Sequence, residues 1–430
     1  MKIGKIVLAV ALILGIGAVW GAQAQSQQPK EVVIGGIWPL TGPNAPTGVE
    51  CTQGATLAMD IINGKYVKEN LNLPLGKTEG LPNLKGAKIK MVFADHQNVP
   101  DKAMSEAERL ITQEKVSALI GCYISGVTAP ASQAAERRKV CFLDADAIAP
   151  TLVKRGFKYF FRVTQDDEIW FRDFMFTRFI PEVLKKKGGK IKNIAILHEN
   201  TLWGTDCAKY SSEFAKKNGF NIVTTIAYPA RSTSLTSEVQ KLKMVEKDTD
   251  MLLSACYTAD GILFKKTYNE MDYNPPMIWN DGGYREPAFL EALGKKSDFI
   301  LQRDEFAVDM GEKKPIVRAV NDLFRKRFGV DMNTNSSRNF MGIIVLADAI
   351  NRAGSTDSEA IRKALLATKI PPEQCICSWE GIEFDPTNGQ NIKAVSLMLQ
   401  VFDGKWRLVW PFDVAVKDLV YPIPKWSARK

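Results

Sequence analysis

The sequence predicts an α/β fold with two lobes, each a parallel sheet with helices on both faces. Short apolar segments of strand type alternate with amphipathic segments of helical period from residue 31 onward. Such alternation is typical of parallel sheets, because a helix is the usual crossover between parallel strands. The pattern runs twice, the second run beginning near Tyr159, so we expect two such lobes.

The first run contains four predicted strands and the helices between them. We place the strands at residues 31–37, 88–94, 116–120 and 140–143. Helices follow the first three strands, one of them carrying Ala55, Met59 and Ile62 on a single stripe. Residues 64–86 are rich in Pro, Gly, Asn and Lys, and we expect a surface insertion there.

The second run repeats this arrangement, and the last third of the chain is less regular. We place strands at residues 159–163, 191–197, 221–227, 251–254 and 276–279, with helices between them. Beyond them we expect an extended segment at 299–308, helices at 314–328 and 339–353, and strand-like segments at 378–384, 393–402 and 405–410. Asp403-Gly404 predicts a turn between the last two segments.

Several polar and aromatic residues closely follow predicted strands. They are Ser125, Asp146, Trp203, Tyr257 and Asp281. In open parallel sheets, ligands bind at the carboxyl ends of the strands. The sequence therefore predicts a ligand site where these residues meet.

The stretch 116–130 shows this arrangement best. A buried strand is broken by Gly121, and Ser125-Gly126 then opens a helix. The free backbone N–H groups of a helix N-terminus, with a hydroxyl beside them, suit a carboxylate or other anion. The alternative is that Ser125 or Thr128 only caps the helix.

The N-terminus has the pattern of a secretory signal peptide. Lys2 and Lys5 precede an apolar run at 6–19, and Ala22-Gln23-Ala24 is a small-x-small cleavage site. The run is short for a membrane span. We therefore expect cleavage after Ala24, removal of residues 1–24, and a mature protein in the periplasm.

Composition narrows the class of protein further. With 45% hydrophobic and 24% charged residues, the chain has ordinary globular composition. The net charge is +9, and loss of Lys2 and Lys5 lowers it to about +7. Its densest basic run, 185–187, is interpreted as a solvated helix end, so we expect no nucleic-acid partner.

Seven cysteines and two histidines give no metal motif. The cysteines are widely spaced, and their odd number leaves at least one unpaired. Most are predicted to be buried small hydrophobes, and their pairing stays open. They are Cys51, Cys122, Cys141, Cys207, Cys256, Cys375 and Cys377. Cys375 and Cys377 invite a metal or redox interpretation, but His96 and His198 do not complete a zinc site.

Taken in order, five short motifs resemble one protein family. They lie at residues 39–43, 120–130, 159–163, 203–204 and 384–389. Each is weak alone, but together they span nearly the whole mature chain in the family's order. The chain resembles the periplasmic solute-binding proteins of branched-chain amino acid (leucine/isoleucine/valine-type) ABC transporters.

The resemblance implies a type I periplasmic binding protein fold, with two Rossmann-like lobes joined by a hinge of three crossovers. The crossovers would fall near residues 163–166, 299–303 and 395–399. Lobe one would combine 30–164 with 303–394, and lobe two 165–302 with 395–430. It further implies transport of a small-molecule solute to a membrane ABC permease, without cofactor, metal or catalysis. We expect a monomer.

The resemblance also suggests which residues bind the ligand. Ser125, with Gly126, matches the family's serine that binds the ligand carboxylate. Trp203 stands at an aromatic position and Tyr257 at a tyrosine of the far lobe. Asp281 lies within one position of the acidic residue that holds the ligand ammonium.

Three positions depart from the family pattern. Asp146 and Ile148 replace a small residue and a threonine that help bind the amino acid head group, and Thr47 replaces an aromatic that covers the side-chain pocket. Isoleucine cannot donate the threonine's hydrogen bond, and Asp146 brings a negative charge near the expected carboxylate. A branched-chain or other apolar amino acid is the first choice of ligand. An amide, a urea-like solute or an aromatic acid is the alternative.

Two rival classes of protein remain. An exported hydrolase would use Ser125, His198 and Asp281 as a triad, or Cys207 with His198. Ser125 lacks the Gly-x-Ser-x-Gly elbow, and Cys207 has no catalytic signature around it, so we expect no enzyme. A ligand-sensing module that docks on a membrane receptor is the second rival.

Overall fold

Residues 30–428 are described by the computed structural model, and the predicted signal peptide lies outside them. Within this range the strands form two sheets, one of five strands and one of seven. Helices cover both sheets, so the predicted α/β fold is confirmed. No helix among the described residues has the length and apolar character that crossing a bilayer requires.

The first sheet is parallel throughout. Its order is β2-β1-β3-β4-β5, and every neighbouring pair of strands in it is parallel. The strands are β1 (Glu31–Trp38), β2 (Lys88–Asp95), β3 (Ala118–Gly121), β4 (Cys141–Asp144) and β5 (Phe160–Arg162). All five carboxyl ends therefore lie at the same edge.

The second sheet has a parallel part and an antiparallel edge. Its strands are β6 (Asn193–Glu199), β7 (Asn221–Tyr228), β8 (Met251–Cys256), β9 (Met277–Gly282), β10 (Leu301–Asp304), β11 (Leu397–Phe402) and β12 (Lys405–Trp410). The order is β12-β11-β10-β9-β8-β6-β7. The last two strands run antiparallel, which differs from the all-parallel prediction, because the predicted Asp403-Gly404 turn is too short for a parallel crossover.

The helices flank the sheets in chain order. They are α1 (Ala45–Ile62), α2 (Pro100–Thr112), α3 (Ser125–Arg138), α4 (Asp167–Trp170), α5 (Ile180–Lys187), α6 (Leu202–Lys217), α7 (Thr236–Met244), α8 (Thr258–Glu270), α9 (Pro287–Leu293), α10 (Pro315–Phe328), α11 (Thr334–Ala353) and α12 (Ser358–Leu366). A π-helical segment, Phe171–Phe179, joins α4 to α5. The prediction contained no helix at α12.

Helix α11 begins five residues earlier than its apolar pattern predicted. Asn333 caps it, accepting from the N–H of Ser336 (3.0 Å), while the Ser336 hydroxyl accepts from the N–H of Asn333 (2.9 Å). The first turn is polar but buried, so hydrophobic periodicity could not reveal it. The earlier start places Arg338 inside the helix.

Apolar side chains cover both faces of each sheet. One cluster joins the first sheet to α1, α10 and α11. A second lies between the other face of that sheet, α2 and α3, and continues to α4–α6 and the second sheet. A third packs α7–α9 on the far face of the second sheet. All seven cysteines are free and buried, as predicted for most of them.

The chain passes between the sheets three times, after β5, after β10 and before β11. All of β10 pairs within the second sheet, so the predicted lobe boundary at 302/303 falls inside a strand. Residues 378–384 form only isolated bridges instead of the expected strand. The predicted surface insertion at 64–86 buries Leu71, Leu73 and Leu81 in the core of the first sheet.

Candidate functional site

A buried cavity lies where the carboxyl ends of the strands of the two sheets face each other. The empty space within it, which includes open solvent, is about 290 Å³. It is lined by Tyr123, Ser125, Asp146, Ile148, Trp203, Tyr257, Gly282, Arg285 and Arg338. Five of the residues proposed from sequence thus lie together, and their roles as ligand contacts stay a prediction.

The turn from β3 into α3 depends on a glycine. Gly121 has φ +140°, and a Cβ there would collide with the backbone carbonyl of Ile37 on the neighbouring strand. Only glycine combines that conformation with that approach. The strand therefore ends at Gly121, and the next residues carry the chain into the cavity wall.

Neither hydroxyl near the start of α3 caps the helix. The N-cap residue is Ile124, and no side chain accepts a hydrogen bond from the first turn. Thr128 Oγ1 donates to the Ile124 carbonyl (3.0 Å), and Ser125 Oγ accepts from the N–H of Ala149 (3.3 Å). The capping alternative is therefore wrong, and the buried Ser125 hydroxyl lies at an uncapped helix N-terminus beside the cavity.

The loop after β4 brings a carboxylate and an aliphatic side chain to the wall. Asp146 Oδ2 accepts from Asn339 Nδ2 (2.7 Å) and contacts Cys51 Sγ (3.7 Å), whereas Oδ1 has no hydrogen-bond partner among the described residues. Burial raises the pKa of the Asp146 carboxyl to about 6, against the opposing influence of nearby arginines. Ile148 adds only apolar surface.

Three aromatic rings form another part of the wall. The ring centroids of Trp203 and Tyr257 are 5.0 Å apart, and those of Tyr123 and Tyr257 are 6.1 Å apart. Trp203 Nε1 donates to Asp167 Oδ2 (3.1 Å), so its polar edge is already satisfied. Gly282, at φ +89°, leaves the room that the Trp203 ring occupies. The rings are inclined to one another by about 60°, and together they form an angled, mostly apolar wall.

Two arginines that the sequence analysis did not select line the cavity. Arg285 follows β9 and Arg338 lies on α11, and both are buried. Arg338 immediately precedes the predicted apolar helix, where a lone charge is unusual, and that signal could have identified it. Arg285 offers no comparable signal, since it lies in an ordinary turn after a strand.

Asp281 lies behind this wall and is absent from it. Its carboxylate accepts from the N–H of Gly282 (2.8 Å) and pairs with Arg285 (3.2 Å) and Arg303 (3.1 Å). Two guanidinium groups therefore occupy the oxygens that a ligand ammonium would need. The structure places Asp281 where it orients Arg285, away from the predicted ligand contact.

Thr47 bonds across the cleft and lies outside the cavity lining. Its hydroxyl donates to Glu286 Oε1 (2.5 Å), and Tyr123 donates to the same oxygen (3.1 Å). Thr258 donates to Oε2 (2.6 Å). Glu286 was not identified from the sequence; because it follows β9 while Thr47 and Tyr123 belong to the first sheet, its carboxylate joins the two halves.

Gly126 borders a second, larger space of about 800 Å³. This space shares Tyr257 with the cavity. At its edge, Arg231 Nη2 donates to the carbonyl of Asn98 (3.2 Å). Gly126 therefore lines this second space and not the cavity that contains Ser125.

The periplasmic binding protein family matches residues 31–405 of this sequence. The chain belongs to that family. The Leu/Ile/Val-binding protein homolog 7 of Brucella suis biovar 1 (strain 1330) is 28% identical over 429 residues, covering 97% of this chain and 98% of the relative. The resemblance seen in the sequence is thereby confirmed.

Solved structures share the fold of this periplasmic binding protein. The leucine-binding protein LivK from Thermotoga maritima MSB8 superposes with a TM-score of 0.73 at 19% identity, over 89% of this chain and 99% of that one. The branched-chain amino acid binding protein LivJ from Streptococcus pneumoniae, in complex with isoleucine, gives 0.72 at 22% identity, over 88% and 99%. These are type I periplasmic binding proteins of two lobes.

The residues that an exported hydrolase would use for catalysis have other hydrogen-bond partners in this periplasmic binding protein. His198 Nδ1 bonds the carbonyl of Glu199 (2.9 Å), Ser125 binds a backbone N–H, and Asp281 is paired with arginines. Burial raises the pKa of the Cys207 thiol well above its usual value, so its thiolate is disfavoured. The geometry does not support either nucleophile.

One group of possible metal ligands lies near the cavity in the described part of the chain. Asp167, Cys207 and Asp281 have ligand atoms within 4.8 Å of one another. Arg303 Nη2 is 2.8 Å from the Asp167 carboxylate and 3.1 Å from that of Asp281. A guanidinium cation therefore already supplies the positive charge that these carboxylates require.

Proposed function

We propose that this chain is an exported solute-binding protein that captures a small solute between its lobes and delivers it to an ABC permease. The first-choice ligand is a branched-chain or other apolar amino acid. The observation that supports this best is the buried cavity with walls from both sheets, bridged by the Glu286 carboxylate.

In this proposal the protein closes by hinge motion and performs no chemistry on the solute. The lobes are those expected from the sequence, residues 30–164 with 303–394 and residues 165–302 with 395–430, except that residues 303 and 304 join lobe two because β10 pairs in the second sheet. Closure would bring Ser125 at the start of α3 against the ligand carboxylate. Trp203, Tyr257 and Ile148 would surround the apolar part.

An aromatic acid is the second candidate. Three rings, Tyr123, Trp203 and Tyr257, lie within 5.0–6.1 Å of their neighbours around the cavity. A planar ring stacks favourably on such surfaces. The carboxylate would again meet the helix N-terminus.

A binding screen tests the proposal. The chain without residues 1–24 is heated with amino acids, aromatic acids, simple amides or urea, and hits are measured by calorimetry. A ligand of the folded state at about 100 times its Kd stabilises it by about 2.7 kcal/mol, so a true ligand raises Tm in proportion to the logarithm of its concentration. If none of these solutes binds, the proposed function is wrong. If only solutes without a carboxylate bind, the role of Ser125 is wrong.

Delivery to a permease is tested in the cell. Deleting the gene should abolish high-affinity uptake of the radiolabelled ligand, and a plasmid copy should restore it. Unchanged uptake together with loss of a transcriptional response to the same solute would favour the ligand-sensing alternative.

A further inference from the structure

Two buried arginines present unpaired N–H groups at the cavity. Arg285 and Arg338 are 7% and 1% exposed. Arg285 is fixed by Nη2 and Nε, which donate to Asp281 Oδ1 (3.2 Å) and the Gly282 carbonyl (3.0 Å). Arg338 is fixed by Nε, which donates to Glu305 Oε2 (3.0 Å). Nη1 of Arg285 and Nη2 of Arg338 have no hydrogen-bond partner among the described residues.

Asp146 contributes a third unpaired atom of opposite charge. It is 4% exposed and lines the same cavity. Asn339 and Cys51 hold Oδ2, and Oδ1 is left without a partner in the described structure. Buried polar atoms are normally satisfied, so an unpaired atom on each of three residues that line one cavity points to groups that a ligand would supply.

We propose that Arg285, Arg338 and Asp146 form the head-group site of the ligand. The two guanidinium N–H groups take its carboxylate, and Asp146 takes an ammonium group adjacent to that carboxylate. The inference rests on the proposed function and deepens it, since it assigns the ligand carboxylate to two arginines that the family resemblance does not give. Asp281 and Glu305 are positioning residues, which orient the arginines without touching the ligand.

Charge and hydrogen-bond complementarity favour a zwitterion over the other candidates. A simple carboxylic acid would satisfy the arginines but bring a second negative charge against Asp146 and leave Oδ1 unpaired. A neutral amide offers the arginines only an uncharged acceptor, which makes a weaker hydrogen bond than a carboxylate does. An amino acid head group supplies both charges at the separation of neighbouring atoms.

The rest of the wall indicates the body of the ligand. Tyr123, Trp203, Tyr257 and Ile148 surround the remaining space with mostly apolar surface. Ile148 lacks the hydroxyl that the family threonine would donate, and the arginines supply donors in its place. A zwitterion with an apolar or aromatic side chain therefore fits this cavity.

Matched ligands test the assignment. L-leucine is compared with isocaproic acid, which lacks the amino group, isoamylamine, which lacks the carboxylate, and L-leucinamide. L-phenylalanine and hydrocinnamic acid form the aromatic pair. On the unmodified protein, calorimetry should show one of the two amino acids binding roughly tenfold or more tightly than its deaminated analogue, because a charged hydrogen bond is lost.

Variants then separate the two halves of the head group. Asp146→Asn should weaken the amino acid by about tenfold and leave the deaminated acid unchanged or tighter. Arg285→Lys and Arg338→Lys should weaken the amino acid and the deaminated acid alike, because lysine keeps the charge but not the geometry of the N–H groups. Asp206→Asn is the matched control, since Asp206 is buried, accepts a backbone N–H (3.0 Å) and does not line the cavity.

The outcomes are distinguishable. Circular dichroism and the solute-free Tm show whether each variant folds, and Asp146→Asn alone decides if an arginine variant does not. Equal binding of the amino acid and its deaminated analogue, or an unchanged ratio of the two in Asp146→Asn, would overturn the head-group site while leaving solute binding intact. No binding of any amino acid, acid or amide to the unmodified protein would overturn the proposed function as well.

Discussion

Individual buried polar atoms should determine which ligands the cavity of this periplasmic binding protein binds. Ser125 Oγ faces it at an uncapped helix start, while Arg285, Arg338 and Asp146 each leave one polar atom unpaired. Burying a polar atom is unfavourable unless it finds a partner. Removal of a single such atom should therefore be visible as a change in affinity.

Replacing Ser125 by alanine should weaken a carboxylate ligand by roughly 1–3 kcal/mol, since a hydrogen bond to a buried oxygen is lost. Calorimetry on the best ligand of the screen measures this. The hydroxyl also accepts from the N–H of Ala149, so the solute-free Tm is recorded in parallel. A fall in Tm with an unchanged Kd would show that Ser125 only supports the loop after β4.

At the scale of elements, the turn between β3 and α3 positions the first-sheet half of the site. Gly121 has a backbone conformation and a contact with β1 that exclude a side chain, whereas Gly126 lies in the first turn of α3 with open space around it. The two glycines are close in sequence, but a side chain is excluded at Gly121 and accommodated at Gly126. Alanine substitutions at the two positions can therefore be compared directly.

Gly121→Ala should destabilise the protein by about 1–3 kcal/mol or more, because alanine is strained at this φ and its methyl group meets the β1 backbone. Gly126→Ala should be neutral or stabilising by about 0.4–1 kcal/mol, since helical backbone accepts alanine. Urea unfolding monitored by circular dichroism measures both. Equal effects at the two positions would contradict the assigned turn geometry.

The segment after β9 connects the two halves through Glu286. Glu286→Ala removes the hydrogen bonds to Thr47 and Tyr123, so the closed form should lose roughly 1–3 kcal/mol and the solute should dissociate faster. Stopped-flow tryptophan fluorescence measures the dissociation rate. Thr258→Ala is the control, because it loses a bond to the same carboxylate but leaves both bonds across the cleft.

If Glu286→Ala and Thr258→Ala release the solute at the same rate, the bonds across the cleft do not stabilise closure. Scattering by the solute-saturated variants provides the structural check. A larger radius of gyration in Glu286→Ala than in Thr258→Ala is the expected result.

At the scale of the whole molecule, two sheets meet around a group of buried carboxyls. Burial raises the pKa of Glu50 and Asp144 to about 7 and that of Asp146 to about 6. In the unfolded chain such groups titrate near pH 4, roughly their reference values. The folded state therefore binds more protons than the unfolded chain between about pH 4 and 7.

Because these carboxyls bind protons more tightly in the folded state, their contribution to stability is lost as the pH rises from about 4 to about 7. Calorimetry should show the solute-free Tm falling from about pH 5 to about pH 8, and Asp144→Asn should reduce that fall. Glu359→Gln is the control. Hydrogen bonds from Arg362 and Tyr159 lower the pKa of Glu359 to about 2, so its contribution is lost only under more acidic conditions. A Tm that rises with pH over this range would contradict the assignment.

The local hydrophobic pattern was enough to predict most of the fold. It failed where an element depends on residues that are distant in the sequence. Strand and helix periods located β1 and α3 closely, since these depend on neighbouring residues. The antiparallel pairing of β10 with β11 and the buried polar start of α11 depend on distant residues, which periodicity does not contain. Four of the five predicted residues of the cavity share one signal, their place after a strand, and Ile148 came from the family resemblance.

The rest of the site lacked a usable sequence signal. Glu286 and Arg285 lie in an ordinary turn, and their roles depend on Thr47 and Asp281, which only folding brings near. Asp281 was selected for its position after a strand, but two arginines compete for it. The ion pairs of Asp281 with Arg285 and Arg303 form only in the folded chain, so the sequence alone could not reveal them.

The seven buried free thiols have a consequence for the proposed export of this chain. Once folded, their sulfur atoms are out of reach of disulfide-forming catalysts, because exchange requires an accessible thiolate. During translocation the same sulfurs are exposed and reactive. The yield of folded protein then depends on whether the thiols are buried before they are oxidised. Secretion into a strongly oxidising compartment should therefore give more cross-linked, misfolded chains than production in the reducing cytosol.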